Sequence, residues 1–487
     1  MENSSLKVGC SSCIFDTKYF FHMKNYLFVL LALAFASCGV SKNQDYTSEA
    51  KQIGYSETKV VRHPSWSKNA TIYEVNVRQH TAAGTFAALE KDLPRIDSLG
   101  VDILWLMPIN PIGQLNRKGI LGSYYSVKNY TGVNPEFGTT EDFKRLVKRA
   151  HELGMYVILD WVANHTAWDH PWVIQHPEWY THDANGNIVP PVPDWSDVAD
   201  LNYDNQELRK EMIRAMEYWV RDCDIDGYRC DVAMNVPTEF WNDTRAALDA
   251  IKPVFMLAEA EQKDHHLKAF DMSYSWELLS IMNGVAKGEK SLYAFDEYMA
   301  KSDTAFQKSA YRMGFTTNHD ENTWNGTGGE RYGLKRKLFD VLSLTLQGMP
   351  LVYTSQEGGE VDAKGNAKRL RFFDKDTAYF NNYVNSDFYK RLLAVHHENP
   401  ALWNGEFGGS FKKLKTSNDD VLYAYSRTNG DRQVVVLLNF SDKPQVFNFT
   451  DEVPDGDFRS IFNSETFSIY SRNQRALAPY GYQVFSK

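Results

Sequence analysis

The feature that most constrains the fold is a repeated alternation of short apolar runs with amphipathic stretches. Most of the connecting segments, such as EDFKRLVKRAHELG, place apolar residues three and four positions apart, as helices do. Strands that alternate with helices form parallel sheets, and eight such units predict an α/β fold, a closed (β/α)8 or TIM barrel. A doubly wound open sheet is the alternative, but no glycine-rich nucleotide turn follows the first strand. The eight predicted strands are 71–79, 101–108, 156–165, 227–232, 255–260, 270–277, 314–320 and 351–357.

Beyond residue 397 the pattern changes to short alternating strands, with TNGD at 428–431 as a hairpin turn. We therefore expect a barrel over residues 71–396 and a C-terminal antiparallel β-sandwich over residues 397–487. A short insertion in the barrel, here called the B segment, is expected at 166–203. Its tryptophans either wall a cleft or pack a loop rich in turns, and packing is favoured; they are Trp168, Trp172, Trp179 and Trp195.

The N-terminal segment predicts export. From Met23 the chain reads MKNYLFVLLALAFASC, whose apolar run is shorter than the roughly 20 residues of a membrane span but fits a signal peptide. FASC resembles a bacterial lipoprotein cleavage box, so Cys38 is the predicted lipidation site; a signal peptide that is simply removed is the alternative. We expect translation to start at Met23, a leader over 1–38 and a linker over 39–70. The mature protein would then be lipid-anchored to a membrane of the bacterial cell envelope, in the periplasm or at the cell surface.

Composition excludes some partners. The net charge of −9 argues against a nucleic-acid partner bound through its phosphates. Five cysteines in 487 residues do not make a disulfide framework. The aromatic content of 14% suits sugar binding, although large aromatic cores account for most of it.

Polar residues cluster where the predicted strands end. Active sites of (β/α)8 barrels lie at the C-terminal ends of the strands, so these residues are candidates for a common site. A single aspartate at a strand end often only caps the next helix, but here four strands carry such residues. They are Asp160, Asn164 and His165 after the third strand, Arg229 and Asp231 on the fourth, Glu259 on the fifth, and Asn318, His319 and Asp320 on the seventh.

The sequence GYRCDVAMN at 227–235 places two charges in a strand that otherwise reads as buried. Arg229 and Asp231 point to the same face because strand side chains alternate. An adjacent guanidinium favours the ionised carboxylate, which suits Asp231 as a nucleophile. Glu259 lies in the apolar context LAEA, where desolvation should raise its pKa and keep it protonated as a general acid. This pairing is typical of retaining glycoside hydrolysis, although a buried pair that merely balances charge is the alternative.

These segments resemble the α-amylase family, the (β/α)8 glycoside hydrolases and transglycosylases that act on α-glucans. DWVANH, GYRCD, LAEA and NHD match its first four conserved regions in order, and VADLN at 198–202 is similar to its fifth. The resemblance implies that Asp231 is the nucleophile, Glu259 the acid/base and Asp320 a third carboxylate that grips sugar hydroxyls. It also implies a set of substrate-binding residues at the cleavage point, which are Tyr125, Asp160, His165, Arg229 and His319.

Two departures from the family pattern concern the residues after the nucleophile. Family amylases often carry Lys-His three and four positions after it, touching the sugar beyond the cleaved bond, whereas this chain has Met234 and Asn235. The same histidine usually lends a backbone carbonyl to a structural calcium. The remaining calcium ligands of the family match Asn164 and Asp200. The alternative is that these two are hydrogen-bonded loop residues that bind no metal. Calcium is therefore the one cofactor that the resemblance implies.

The resemblance implies hydrolysis of α-1,4-glucosidic bonds in starch-like glucans or maltooligosaccharides, and an endo-acting α-amylase is favoured. Cyclomaltodextrinase- or neopullulanase-like activity and glucan transfer are alternatives, because the choice depends on loop shape and water access. A glycan-binding accessory protein without activity is the alternative outside enzymes. The presence of all three carboxylates argues for an enzyme.

Overall fold

Eight parallel strands close into a barrel in the computed structural model, which describes residues 61–463, 465–470 and 474–487. The predicted leader, Cys38 and the linker up to residue 60 lie outside the described residues. The first ten strands are β1 Ile72–Val75, β2 Ile103–Leu106, β3 Tyr156–Trp161, β4 His165–Ala167, β5 Val198–Asp200, β6 Gly227–Cys230, β7 Phe255–Ala258, β8 Met272–Tyr274, β9 Tyr311–Gly314 and β10 Met349–Tyr353. The ring order is β1-β2-β3-β6-β7-β8-β9-β10, and β10 pairs with β1, which confirms the (β/α)8 barrel.

Helices connect the barrel strands, and the longer ones, such as α3 (Thr140–Glu152) and α5 (Gln206–Asp222), bury an apolar face. In the helix that follows β2, Thr139 and Asp142 form a reciprocal capping box at the N-terminus, which fixes where the helix begins. No helix within the described residues is long and apolar enough to span a bilayer. The helices are α1 Val77–His80, α2 Phe86–Ser98, α3 Thr140–Glu152, α4 Pro171–Gln175, α5 Gln206–Asp222, α6 Thr238–Asp249, α7 His265–Lys268, α8 Trp276–Lys287, α9 Tyr293–Ala305, α10 Gly328–Tyr332, α11 Arg336–Thr345 and α12 Ser386–Glu398.

The seventh barrel strand lies earlier in the chain than the sequence predicts. The prediction was 314–320, but β9 ends at Gly314, the last residue that pairs with β10. Beyond it the backbone finds side-chain partners instead of a neighbouring strand, since Arg331 donates to the carbonyl of Thr316. The β-branched residues of GFTTNHD mimic a strand, so the prediction was wrong by about one strand length. Asn318, His319 and Asp320 therefore lie in the loop that follows β9.

The B segment forms a small lobe against the barrel. Strands β4 and β5 pair antiparallel within it, with His165 opposite Asp200. Trp172 and Trp179 pack on each other with ring centroids 5.1 Å apart, which confirms packing for these two. Trp195 instead lines a cavity at the carboxyl end of the barrel.

The C-terminal strands form an antiparallel six-stranded sheet in the order β11-β12-β13-β18-β15-β16 and a two-stranded sheet of β14 and β17. Asn429 pairs with Arg432 across the TNGD turn, and Gly430 takes a φ of +57°, so the predicted hairpin is confirmed. The strands are β11 Ser410–Lys413, β12 Leu422–Asn429, β13 Arg432–Asn439, β14 Gln445–Phe447, β15 Gly456–Ser460, β16 Thr466–Ile469, β17 Arg475–Leu477 and β18 Tyr482–Ser486.

Candidate active site

A cavity of about 580 Å³ opens at the carboxyl end of the barrel strands. Two further predicted site residues, Asp160 and Arg229, are buried and contact the side chains that line this cavity. Asn164 and Asp200 do not line it. The predicted site residues on its wall are Tyr125, His165, Asp231, Glu259, His319 and Asp320.

Gly227 lets strand β6 approach its neighbour closely enough to place the charges. Its φ is +152°, and an added Cβ would lie 1.8 Å from the carbonyl oxygen of Phe255 on β7, so only glycine fits. Two residues later, the Arg229 side chain is fully buried. Its Nη1 atom donates to Oδ1 of Asp160 at 2.7 Å and to Oδ1 of Asp231 at 2.8 Å.

Arg229 also contacts the third of the carboxylates around it. Its Nη2 atom lies 2.9 Å from Oε2 of Glu259, without the alignment of a hydrogen bond. Burial alone would lower the pKa of Arg229, but Asp160 and Glu259 outweigh burial and raise it well above its usual value. One permanently charged guanidinium therefore positions both carboxyls of the predicted acid and nucleophile pair.

The two carboxyls of that pair differ in their surroundings. Burial raises the pKa of Glu259 to about 8, against the opposing effect of Arg229, and Asp231 and Asp320 add to the rise. Glu259 is therefore protonated at neutral pH, in the direction that its apolar sequence context predicts. Within the described residues, Oδ2 of Asp231 has no hydrogen-bond partner, and its side chain lines the cavity. This oxygen is free to attack a bound substrate.

A strained residue links the two carboxyls. Val232 follows Asp231 directly and adopts φ 36° and ψ 46°, a left-handed conformation that β-branched residues avoid. Such a conformation costs about 1–3 kcal/mol and persists only where the surroundings enforce it. The turn aims the Val232 amide at Glu259, which accepts its hydrogen on Oε2 at 2.7 Å. Because Oε2 is occupied, the proton of Glu259 is assigned to Oε1.

Asp320 and His319 form a charged pair, and His319 also contacts Glu74, a residue that the sequence analysis did not identify. His319 Nε2 lies 3.2 Å from Oδ2 of Asp320, and Nδ1 lies 2.6 Å from Oε1 of the fully buried Glu74 on β1. Burial alone would lower the pKa of His319, but Asp320 and Glu74 outweigh it and raise the pKa well above its usual value. Burial would raise the pKa of Asp320, but His319 keeps it low. The site therefore holds an imidazolium between two carboxylates.

A hydrogen-bond chain joins this imidazolium to the arginine. The hydroxyl of Tyr125 lies 2.9 Å from Nε2 of His319 and donates to Oδ2 of Asp160 at 3.1 Å. The indole of Trp105 donates to the same oxygen at 3.2 Å. Burial raises the pKa of Asp160 to about 6, despite its contact with Arg229. Every link holds the ring of Tyr125 in one orientation at the cavity floor.

His165 lies on the B-segment side of the cavity. Burial lowers its pKa, so the ring is neutral, and its Nδ1 lies 3.1 Å from the amide nitrogen of Asn164. Asp200, opposite His165 in the β4–β5 pair, is half-buried, and its carboxylate has no ion-pair partner among the described residues. Burial raises the pKa of Asp200. Asp200 lies on the strand paired with β4, which begins directly after Asn164, and a carboxylate and an amide supply the oxygen ligands that calcium takes.

Sequence reasoning also missed the aromatic wall of the cavity. Trp324 is 53% exposed, and its ring lies 5.4 Å from that of Phe372. Phe372 in turn is stacked with Tyr125 at 6.0 Å between centroids and 14° between planes. Trp324 lies in a short helical turn, Glu321–Asn325, and Phe372 and Phe373 lie in a loop, so no periodic sequence pattern marks them. Glu74 had such a signal, because it is a carboxylate inside a strand of buried residues.

Comparison with known proteins agrees with this geometry. The α-amylase catalytic domain family matches residues 56–187 and 192–416, and the maltogenic amylase C-terminal domain family matches 411–484. The chain is similar to α-amylase 3 of Dictyoglomus thermophilum, at 27% identity over 85% of this chain and 92% of that protein. It is also similar to an α-1,4-glucan:maltose-1-phosphate maltosyltransferase of Picrophilus torridus, at 26% identity over 86% of this chain and 68% of that protein.

Among solved structures, the maltogenic α-amylase AmyB of Thermotoga neapolitana superposes with a TM-score of 0.77. The two chains are 30% identical, and the match covers 86% of this chain and 98% of that one. The catalytic-domain match, which spans most of the sequence, and the closed barrel lead to the same assignment. The chain belongs to the α-amylase family of glycoside hydrolases.

Proposed function

We propose that the protein hydrolyses α-1,4-glucosidic bonds in starch-like glucans or maltooligosaccharides with retention of the α configuration. One observation carries the proposal: a protonated Glu259 and an Asp231 with a free carboxylate oxygen face one cavity and contact one guanidinium. Retaining glycosidases need a carboxylic acid and a carboxylate in such proximity. The aromatic wall of Trp324, Phe372 and Phe373 suits the faces of sugar rings.

In the first step, Glu259 gives the proton on Oε1 to the glycosidic oxygen while Oδ2 of Asp231 attacks the anomeric carbon. The C–O bond to the leaving sugar breaks and a covalent glycosyl ester on Asp231 forms. In the second step, the ionised Glu259 removes a proton from water, whose oxygen displaces Asp231. The proton returns to Glu259, so the enzyme ends as it began.

The surrounding residues hold the sugar at the cleavage point. Asp320 accepts hydrogen bonds from sugar hydroxyls, and the cationic His319 on the cavity wall beside it keeps Asp320 ionised. Neutral His165 contacts the same sugar from the B-segment side, and Tyr125 stacks on its ring. Arg229 and Asp160 stay below the sugar, where they orient Asp231 and Tyr125.

The configuration of the first product tests this mechanism. Proton NMR of maltoheptaose digestion, recorded before mutarotation, should show the α-anomer of the new reducing end first. If the β-anomer is formed first, water attacks directly and Asp231 is not a nucleophile. If no glucan is cleaved, the protein is an accessory glycan-binding protein.

Glucan transfer is a second candidate, because a maltosyltransferase is among the similar proteins. Transfer uses the same glycosyl ester on Asp231 and differs only in whether water or another acceptor attacks it. Products longer than the substrate from purified maltotriose would indicate transfer. Release of shorter sugars alone would indicate hydrolysis, and parallel digests of pullulan and cyclodextrin separate the related hydrolase activities.

We also propose that Asn164 and Asp200 hold a structural calcium ion through side-chain oxygens, at a distance from the reacting bond. A ligand that binds only the folded state stabilises it. Chelation should therefore lower the melting temperature by several degrees, and Asp200→Asn should remove most of that response. An unchanged melting temperature would contradict the calcium site.

For Cys38 we propose lipidation, on the sequence FASC alone. The Cys38→Ala variant, expressed from Met23 in a bacterial host, should move from the membrane fraction to the soluble fraction. An unchanged distribution would contradict the anchor.

A further inference from the structure

The chemistry of cleavage fixes the direction of a bound glucan. Glu259 protonates the leaving oxygen, so the leaving sugars must extend past Glu259. A second cavity lies there, lined by residues 234–238, directly after Asp231, and by residues 262–264, directly after Glu259. The sugar that becomes bonded to Asp231, and every sugar on its non-reducing side, must extend in the opposite direction.

Across the ring from β7, the strand that ends before Glu259, β10 and β2 flank β1, and three loops meet on this opposite side. They are the loop after β2, the B segment and the loop after β10. Lys118 of the first loop lies 3.2 Å from Oδ1 of Asp197 in the B segment, and its ammonium also donates to the carbonyl of Asp194. All three residues line the cavity, and Asp197 is almost fully buried. The ion pair therefore bridges the cavity wall between the two segments.

The same loop is hydrogen-bonded to the loop after β10. The amide of Leu121 donates to the carbonyl of Phe373 at 3.0 Å, and the amide of Ile120 donates to Oδ1 of Asp374 at 3.0 Å. Gly119 lies so close that an added Cβ would be 2.4 Å from Cβ of Phe373. The contact is thus a packed one, and no sugar ring fits between these two loops.

Together the contacts make a continuous barrier on the non-reducing side. A glucan chain that continued past it would have to break the Lys118–Asp197 pair and the hydrogen bonds of the Ile120 and Leu121 amides. We propose that this barrier, here called the loop clasp (Lys118–Leu121 with Asp194, Asp197, Phe373 and Asp374), closes the site to internal chain segments. The enzyme then removes a short product of fixed length from the non-reducing end of α-glucans. This inference rests on the proposed hydrolysis and replaces the endo action that the sequence favours.

Two matched substrates test the loop clasp in the wild-type enzyme. One is 4-nitrophenyl α-maltoheptaoside, and the other is the same compound with a 4,6-O-ethylidene group on its non-reducing glucose. The free-ended substrate should have a kcat/KM at least about tenfold higher, because a closed pocket rejects added bulk. Early in its digestion, one labelled fragment of a single length should dominate.

Opening the clasp should reduce this discrimination. In a Lys118→Ala, Asp374→Ala double variant, the ratio of free-ended to blocked kcat/KM should fall severalfold, and labelled fragments of several lengths should appear. Lys301→Ala is the matched control, because it removes a surface lysine that contacts both carboxylate oxygens of Glu277 at 2.8 Å and does not line the cavity. Its ratio should equal that of the wild type.

The outcomes separate the two proposals. Equal cleavage of both substrates by the wild type, with fragments of mixed length from the start, would overturn the loop clasp and leave hydrolysis intact. Cleavage of neither substrate, nor of starch, would overturn the proposed function itself. A double variant that remains folded and discriminates as the wild type does would also overturn the clasp.

Discussion

Two buried arginines in this chain meet different partners. Arg229 lies in the barrel, fully buried, with Asp160, Asp231 and Glu259 around it. Arg427 lies on β12 of the C-terminal sheet and is 3% exposed. Its guanidinium donates to the backbone carbonyls of Leu346 and Gly409 and has no ion-pair partner among the described residues. Both guanidiniums have polar partners, but only the partners of Arg229 are groups that titrate.

The difference shows in the pKa values. At Arg229 the carboxylates outweigh burial and raise the pKa, whereas at Arg427 burial dominates and lowers it to about 10. Carbonyl dipoles hold a charge in place without changing their own protonation. The carboxyls around Arg229 do change protonation, because burial raises the pKa of Glu259 against the opposing effect of Arg229 and leaves Glu259 as the acid. The first arginine organises chemistry, and the second attaches the C-terminal sheet to the barrel.

Breaking the carboxylate cluster should have the largest effect. Asp231→Asn keeps the size of the side chain and an oxygen for Arg229 but removes the nucleophile. We expect kcat to fall by about 10⁴ or more, since the lost interaction acts in the transition state. Glucan binding, measured by calorimetry, should stay within a few-fold of the wild type. Residual activity near the wild-type level would show that another group attacks.

Removing the charge at Glu74 should have an intermediate effect. Glu74→Gln retains a group near His319 Nδ1 but removes one of the two carboxylates that raise the pKa of His319. The imidazolium should then lose its proton at a lower pH. We expect kcat/KM at neutral pH to fall about 10- to 100-fold through misplacement of the sugar contacts. The basic limb of the pH profile, set in the wild type by Glu259 near pH 8, should move to lower pH. A uniform loss at every pH would indicate a purely structural role for Glu74.

The arginine of the C-terminal sheet should affect stability and leave catalysis unchanged. Arg427→Met fills most of the volume but leaves the carbonyls of Leu346 and Gly409 without their donor. An unsatisfied buried polar group costs about 1–3 kcal/mol, so the melting temperature should fall by several degrees. The kcat/KM measured well below the transition should equal that of the wild type. A loss of activity without a loss of stability would contradict the division between the two arginines.

How far the sequence predicts the site depends on whether contacts are local. Arg229 and Asp231 share a face because they are two residues apart on one strand, and the apolar neighbours of Glu259 predict its raised pKa. The contact between Glu74 and His319 arises only when the barrel closes and brings β1 beside the loop after β9. No local pattern pairs residues so far apart in the chain.

The fold shows the same limit. Alternating strands and helices predict the barrel, because each element is specified by its own periodicity. The seventh strand was misplaced because GFTTNHD has strand-like residues, while its backbone partners, such as Arg331, come from elsewhere. The loop clasp likewise joins three loops that are distant in sequence. Whether an end of the cavity is closed or open therefore depends on tertiary contacts, which no local sequence pattern predicts.

The smallest effect should come from an ion pair outside both regions. Lys301 contacts Glu277 at 2.8 Å, the same distance as Arg229 to Asp231, but its side chain is 64% exposed. Water already solvates both charges there, so the pair gains little by forming. Lys301→Ala should change neither the melting temperature nor kcat/KM measurably. A loss of stability as large as that of Arg427→Met would show that an exposed charged contact stabilises the protein as much as a buried polar one. Burial would then not explain the difference between the two arginines, and the distinction between the two regions would fail.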